Sequence, residues 1–271
     1  MPRFPNPRFL LPAIALLAAL VLGGLPAGAS GRLRSTTTTS FGTAVSDATS
    51  TALGTGAAAN PVCSPATLQS ARQNVTQELS NRSTQLQTLT TRVSNTKDIP
   101  SSDASALDTI IANEQIGIVD GGISGLESMV PDATTCLQVI VDARTMVRAF
   151  RVYSLVSLQV DLTAVATTES AVVTQALAQE PKVQSVISAA QGRGTDVIGA
   201  QQAYSDLQAK LAAAQSSLGA VSISTLLAQV PSDYPGDATA LVGYHNDVVA
   251  VATDLRAADE DLHRIVTDLT S

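Results

Sequence analysis

Two stretches in the second half of the chain place apolar residues at alternating spacings of three and four. This alternation puts each set on one stripe of an α-helix that can pack lengthwise against another helix. The pattern therefore predicts two long helices lying side by side. The first stripe is Val197, Ala200, Tyr204, Leu207, Leu211, Ala214, Leu218 and Val221. The second is Leu241, Tyr244, Val248, Val251, Leu255, Ala258, Leu262, Ile265 and Leu269.

Apolar residues at helical spacing predict two helices near the start of the bundle. Ser64-Pro65 opens the first, in the N-cap and N1 positions, and Pro100 follows its end. The second begins near Ser101. Gly121-Gly122 should bend or split it, because each glycine costs about 1 kcal/mol against alanine inside a helix.

A third and longest helix is predicted after Pro131-Asp132, with a shift in the phase of its apolar stripe after Tyr153. Glu180-Pro181 should kink or end this helix, since proline clashes with the preceding turn. A short continuation then reaches Gly192-Arg193-Gly194, which is typical of a helix C-cap. No run of alternating residues predicts a strand.

These elements predict an all-α fold for residues 63–271: an elongated antiparallel helical bundle with coiled-coil-like packing. An acidic ladder on the last helix bears on self-association. In two parallel copies it would lie beside His245, Ala252, Asp259 and Val266, which offer no complementary charge row. We therefore expect packing within one chain, and a monomer. The ladder is Asp247, Asp254, Asp261 and Asp268.

Residues 1–29 have the pattern of a secretory signal peptide. Arg3 and Arg8 form a basic region, residues 9–25 an apolar one, and Ala27-Gly28-Ala29 a cleavage pattern. The alternative is an uncleaved anchor, since the apolar run approaches the ~20 residues that a membrane span needs. We favour cleavage, a secreted protein outside the cell or at its envelope, and no stable membrane span afterwards.

Residues 30–62 are rich in Thr, Ser, Ala and Gly, and this composition predicts a flexible segment. Cys63 and Cys136 follow as the two cysteines of the chain. In an exported protein they should form one disulfide, worth roughly 4 kcal/mol in the chain-entropy model. A redox-active pair is less favoured, because they lack the C-x-x-C spacing.

The composition argues against several classes of partner and activity. The net charge of −7 becomes −9 without Arg3 and Arg8, which disfavours nucleic acid and anionic lipid. The chain has no Trp and few other aromatics, so large walls for a ligand pocket are scarce.

No residue set satisfies the geometry of a catalytic or metal site. His245 and His263 are separated by roughly 27 Å on a straight helix, too far to share a metal ion. Gly122-Ile123-Ser124-Gly125 is one residue short of a nucleophile elbow. We therefore expect no enzyme, metal or cofactor.

Arg148, Phe150, Arg151 and Tyr153 gather two cations and two aromatics within two helical turns of an acidic, aromatic-poor chain. One interpretation is a recognition patch, because Arg and Tyr are favoured where partners dock. The other is an aromatic core layer whose arginines pair with acidic residues of a neighbouring helix.

The segment Phe150-Arg151-Val152-Tyr153-Ser154-Leu155-Val156 resembles the Y-R-V-Y-x-L-V signature of a group of uncharacterised secreted helical proteins of actinobacteria and related bacteria. Gly194-Thr195-Asp196-Val197 and Pro231-Ser232-Asp233-Tyr234 are similar to later landmarks of that group. The resemblance covers about residues 100–271. It implies export and a helical fold, and it implies no activity.

The sequence thus predicts a non-enzymatic secreted protein, acting as a spacer or as a module that binds an unknown protein or envelope component. The alternative is a helical-bundle carrier that holds a small apolar ligand between Phe150, Tyr153, Tyr204 and Tyr244.

Overall fold

A computed structural model describes residues 63–117, 121–233 and 235–270. The predicted signal peptide (1–29) and Thr/Ser-rich segment (30–62) lie outside these residues. Every regular element in the described part is helical. The elements are α1 (Pro65–Asn95), α2 (Ser101–Ile116), α3 (Gly122–Met129), α4 (Cys136–Arg148), a π turn (Val152–Val156), α5 (Ser157–Gly192), α6 (Ile198–Ala220), α7 (Ile223–Ala228) and α8 (Ala238–Thr270), with 3-10 turns at Val130–Asp132 and Pro231–Asp233.

The predicted helix ends are confirmed at α1 and α5. The Ser64 side chain accepts a hydrogen bond from the Thr67 N–H at 3.1 Å, and Pro65 occupies the first turn. At the end of α5, Thr195 N–H donates to the Ala190 carbonyl at 3.2 Å and Gly194 N–H to that of Gln191 at 2.9 Å. These two bonds, with Gly194 at φ +83°, form a Schellman cap.

The predicted split at Gly121-Gly122 is also confirmed. The two glycines have φ of +73° and +70° and separate α2 from α3. A Cβ on Gly122 would lie 2.6 Å from the main-chain carbon and oxygen of Gln115, so no larger residue fits without a shift.

Three helices, α5, α6 and α8, form the C-terminal part of the bundle. Lys210 lies 3.8 Å from Asp254 and Asp206 lies 3.0 Å from Arg264, so α6 and α8 run antiparallel. Both predicted stripes are buried or half-buried along their whole length, with Ala200, Ala214 and Val251 fully enclosed. The prediction of two long helices lying side by side is confirmed.

The N-terminal part surrounds α1, which contacts α2, α3, α4 and the beginning of α5. The Gln85 side chain donates to Ser157 at 3.2 Å and Arg92 pairs with Asp161, so α1 and α5 run side by side in the same direction. Leucines and isoleucines from α1, α2 and α3 fill this core. Its fully enclosed members include Leu79, Leu107, Ile123 and Leu126.

The helix α5 belongs to both parts. Pro181 lies inside it, yet the helix continues to Gly192, so an end at Glu180-Pro181 is wrong. Proline removes one main-chain hydrogen bond. Core contacts on both sides offset this loss, because Val173 before it and Val183 and Ile187 after it belong to one hydrophobic cluster with α6 and α8.

The predicted long helix after Pro131-Asp132 is wrong in one respect, because it is divided between α4 and α5. Arg151 has φ +22°, the one positive value among non-glycine residues of the described ranges, and a π turn follows it. The break lets Phe150 and Val152, two positions apart, both enter the core. This break corresponds to the shift in phase that the sequence shows in the apolar stripe after Tyr153, and a π turn replaces regular α-helix there.

Within the described residues, one stretch, Ile198–Ala228, is long and apolar enough to cross a membrane by length and composition alone. Its apolar character comes largely from alanine and from the seam that faces α5 and α8. Ala200, Leu207 and Leu211 of that seam are buried in the bundle.

Candidate functional site

The structure distributes the four residues of the predicted patch between core and surface. Phe150 is buried in the N-terminal core, 3% exposed, whereas Arg148 is exposed at the end of α4. Arg151 and Tyr153 are half-buried in the break between α4 and α5. The four residues therefore do not form one continuous surface, and Arg148 is the member that faces solvent most fully.

Tyr153 is held by a charged pair from α1. The Arg82 guanidinium lies 4.9 Å from the centroid of the tyrosine ring and also pairs with Glu78 one turn earlier. Burial and the Glu78 carboxylate raise the pKa of Tyr153 above its ordinary value, while Arg82 opposes that rise. Arg82 is itself 4% exposed, so this cluster fixes α1 against the π turn.

Two side chains hold the connection between α7 and α8 against the N-terminal part. Arg151 Nε donates to the Pro231 carbonyl at 3.1 Å. Gln159 Nε2 donates to the carbonyls of Leu226 at 2.9 Å and Gln229 at 3.0 Å. Gln159 is fully buried, and these bonds add to the one that the Leu226 carbonyl accepts from the Gln229 N–H at the end of α7.

The outward side of α4 carries two exposed apolar side chains in line with two exposed arginines. Leu137 is 70% exposed and Val141 50% exposed, and Arg144 and Arg148 continue the same stripe at spacings of three and four. We name these four residues the α4 face. It spans about 16 Å along the helix, with its apolar half near Cys136 and its cationic half near the break at Arg151.

The α4 face is fixed at both ends. Cys136, the first residue of α4, forms the predicted disulfide with Cys63, so that prediction is confirmed. Ala133 before the helix is fully buried, and its carbonyl accepts a hydrogen bond from the Arg72 side chain. Phe150 anchors the chain just after the helix. The exposed side chains thus stand on a rigidly placed element.

A polar cleft of about 530 Å³ lies between α6 and α8, around Asp206, Lys210, Glu260, Asp261 and Arg264. Arg264 pairs with Asp206 across this cleft and with Asp261 on its own helix. Ala209 and Ala257 give it a shallow floor. Its charges are largely matched within the chain, and we interpret it as a solvated ion-pair network.

Two carboxyl groups are buried away from the surface. Burial raises the pKa of Glu114 on α2 to about 8. It also raises the pKa of Glu169 on α5 to about 8, partly opposed by the charge of Arg256. One oxygen of each carboxyl group has no hydrogen-bond partner. Both groups therefore hold a proton at neutral pH, and their contribution is to the pH dependence of stability.

Residues that could bind a metal or an apolar ligand are scattered. In the described ranges, no group of three His, Cys, Asp or Glu side chains gathers closely enough to hold a metal ion. The four aromatics of the carrier hypothesis also do not meet. Phe150 lies in the N-terminal cluster, Tyr204 packs against the α5–α6–α8 cluster, and Tyr244 packs against a third around Leu226.

Sequence reasoning assigned only one side of α4, the buried one that carries Val139 and Met146. A helical wheel of residues 136–148 shows a second apolar stripe, which begins at Leu137 and Val141. A short helix with apolar residues on two faces must leave one face exposed, unless the helix lies at the centre of the bundle. The stripe at Leu137 and Val141 was therefore the signal in the sequence. The partners of Tyr153, contributed by α1, carried no comparable signal.

Comparisons of the chain with protein-family models, with curated proteins and with solved structures found no match. The resemblance carried by Phe150 to Val156 therefore stays a prediction.

Proposed function

We propose that the protein is an exported, non-catalytic helical module that docks a partner protein through the α4 face. The observation that carries this proposal is the exposure of Leu137 and Val141, 70% and 50%, on a helix whose other side is packed. Arginine is enriched among the residues that dominate binding energy, and the two aliphatic side chains in the same stripe supply apolar area that a partner can bury. The disulfide supports an oxidising compartment such as the cell exterior or envelope.

The charges of the α4 face define the chemistry of the partner. Arg144 and Arg148 lie at one end of the face of a protein whose net charge is −7. An acidic partner meets attraction at this face and repulsion over much of the remaining surface. We therefore expect a partner segment that presents apolar side chains to Leu137 and Val141, and carboxylates to the arginines.

The dimensions of the fold suit a spacer as well as a docking module. The 36 residues of α5 form a helix of about 54 Å that contributes side chains to all three hydrophobic clusters. The α4 face ends at Arg148, shortly before α5 begins at Ser157, whereas the loop to α6 follows the other end of α5. A partner bound at α4 is therefore separated from the loop between α5 and α6 by about the length of α5.

Site-specific photo-crosslinking tests this function. A photoreactive residue replaces Leu137 in the full chain exported by its own cells, and a matched variant carries it at Val242 on α8, which is 59% exposed. We expect one crosslinked partner from position 137 that is absent from position 242. It should disappear when Arg144→Glu and Arg148→Glu are added. Identical products at both positions, or a product that persists after charge reversal, would contradict the proposal.

A further inference from the structure

We propose that the Cys63–Cys136 disulfide is a redox lock on the α4 surface. Its reduction by a dithiol releases the first turns of α1, Pro65–Glu78, from α4 and uncovers the inner side of α4, while the remaining bundle stays folded. The local opening is inferred from the geometry alone. Its effect on partner binding rests on the proposed function.

The burial pattern of α1 changes abruptly at Leu79. Every fully buried side chain of this helix lies at or beyond Leu79, and none lies in Pro65–Glu78. Leu68 and Val75 in that segment are only half-buried. Most of the stability of a helix in a protein comes from tertiary packing of its apolar face, and this segment has little of it. The first turns of α1 therefore depend on their attachments to the neighbouring chain.

The attachments of this segment involve half-buried side chains and the disulfide, and no fully buried side chain. Cys63 is bonded to Cys136, the Arg72 side chain donates to the Ala133 carbonyl, and Val75 packs at the margin of the N-terminal core. The disulfide joins positions 73 residues apart, and a crosslink across so long a loop has a large stabilising effect. Without the crosslink, this hydrogen bond and the contacts of half-buried side chains such as Leu68 and Val75 must hold the segment.

The segment Pro65–Glu78 is also the cover of α4. Cys63 meets Cys136 at one end, and Arg82 meets Tyr153 at the other, so this part of α1 lies alongside α4. The inner side of α4 carries Val139, 2% exposed, which becomes accessible when the cover leaves. Leu137 and Val141, on the opposite side of the helix, are exposed already.

The opening has fixed limits. Leu79 is fully buried and stops the release along α1. Ala133 before α4 and Phe150 after it are buried as well, so α4 stays tethered at both ends. The rest of the fold retains its own clusters, including the one shared by α5, α6 and α8. Reduction should consequently loosen one end of the molecule and leave the other unchanged.

The chemistry of the switch is thiol–disulfide exchange. Both cysteines are half-buried, so neither is enclosed in the core. One thiolate of a dithiol attacks a sulfur and forms a mixed disulfide, and its second thiolate displaces the protein sulfur. The products are the two cysteine thiols and the cyclic oxidised reagent, and the reverse exchange with a disulfide reagent, which is itself reduced to the dithiol, restores the lock.

Hydrogen exchange read by mass spectrometry tests the lock on the full chain, with and without dithiothreitol. We expect exchange to accelerate at least tenfold in peptides from 65–78 and 137–148, and to stay unchanged in peptides from 200–218 and 246–268. A Cys63→Ser/Cys136→Ser chain should show the same pattern without reductant, and no further change with it. Unaltered exchange after verified reduction, or faster exchange along the whole chain, overturns the lock.

The affinity for a partner identified by crosslinking distinguishes failure of the redox lock from failure of the proposed docking function. Reduction should change that affinity at least threefold. Local opening with an unchanged affinity overturns the regulatory role and leaves docking at the α4 face in place. If replacement of Leu137 and Val141 by Asp leaves the affinity of the partner unchanged, the docking function is contradicted, whatever the exchange data show.

Discussion

The Nε atom of Arg151 donates a hydrogen bond to the main-chain oxygen of Pro231 at 3.1 Å, across 80 residues of sequence. Arg151 lies in the break that ends α4, and Pro231 lies in the connection between α7 and α8. This bond joins the end of the α4 face to the C-terminal part of the bundle. It assigns a structural role to one of the two arginines that the sequence indicates as a recognition patch.

Replacement of Arg151 by Ala should lower the free energy of unfolding by about 1–3 kcal/mol, because the carbonyl of Pro231 loses a charged donor. Arg148 on α4 is exposed and offers the matched control. Arg148→Ala should change stability by less than about 0.5 kcal/mol. Urea denaturation of both variants measures the difference, and equal effects would show that the bond to Pro231 carries little stability.

Gly122→Ala should destabilise the protein by at least about 2 kcal/mol. The new Cβ would meet main-chain atoms of Gln115 at 2.6 Å, and φ of +70° is strained for alanine. At Gly219, near the end of α6, an added Cβ would find nothing within 4 Å, so Gly219→Ala should leave stability unchanged or raise it by up to about 1 kcal/mol. Thermal unfolding of both variants distinguishes a steric clash specific to position 122 from a general effect of replacing glycine by alanine.

Leu211→Ala should cost about 2–5 kcal/mol, since this side chain is 1% exposed in the cluster shared by α5, α6 and α8. Val249 on the solvent side of α8 is 45% exposed, and Val249→Ala should cost less than about 0.5 kcal/mol. Chemical denaturation measures both. A small cost at Leu211 would mean that the seam between the helices is not a packed core.

The stability should fall as the pH rises from about 4.5 through about 8. Burial raises the pKa of Glu114 and Glu169 to about 8 from an ordinary value of 4.5. Between these values the folded chain keeps protons that the unfolded chain has lost, so the free energy of unfolding declines until both groups are ionised.

Glu114→Gln should flatten this decline and raise stability at pH 8.5 by roughly 1–3 kcal/mol, because the amide carries no charge to bury. Glu260 is exposed on α8, and Glu260→Gln serves as the control. Unfolding temperatures at pH 5.5, 7.0 and 8.5 provide the measurement. A Glu114→Gln profile parallel to that of the native chain would contradict a buried neutral carboxyl group at this position.

Local signals in the sequence were sufficient for much of the fold. The stripes from Val197 and from Leu241 identified α6 and α8, and Ser64-Pro65 and Gly194 identified helix ends, because these features act over one or two turns. The break at Arg151 was visible only as a shift of phase. The hydrogen bond of Arg151 to Pro231 joins residues far apart in sequence, and no local pattern predicts it.

The candidate site was less accessible to sequence reasoning. Arg148 belongs to both the predicted patch and the α4 face, but Phe150 enters the core and Arg151 turns to Pro231. The exposure of Leu137 and Val141 depends on which side of α4 meets α1. The disulfide fixes one end of that arrangement and the contact of Arg82 with Tyr153 fixes the other, so it is a property of the tertiary structure.

The affinity of the partner crosslinked through position 137 is the most direct test of docking at the α4 face. Leu137→Asp combined with Val141→Asp should weaken binding at least 30-fold, about 2 kcal/mol, because both changes place charge in an apolar contact. The control, Val242→Asp with Val249→Asp on α8, should bind within a factor of two of the native chain. Native affinity in the α4 variant, or equal losses in the two variants, would contradict the proposed docking surface.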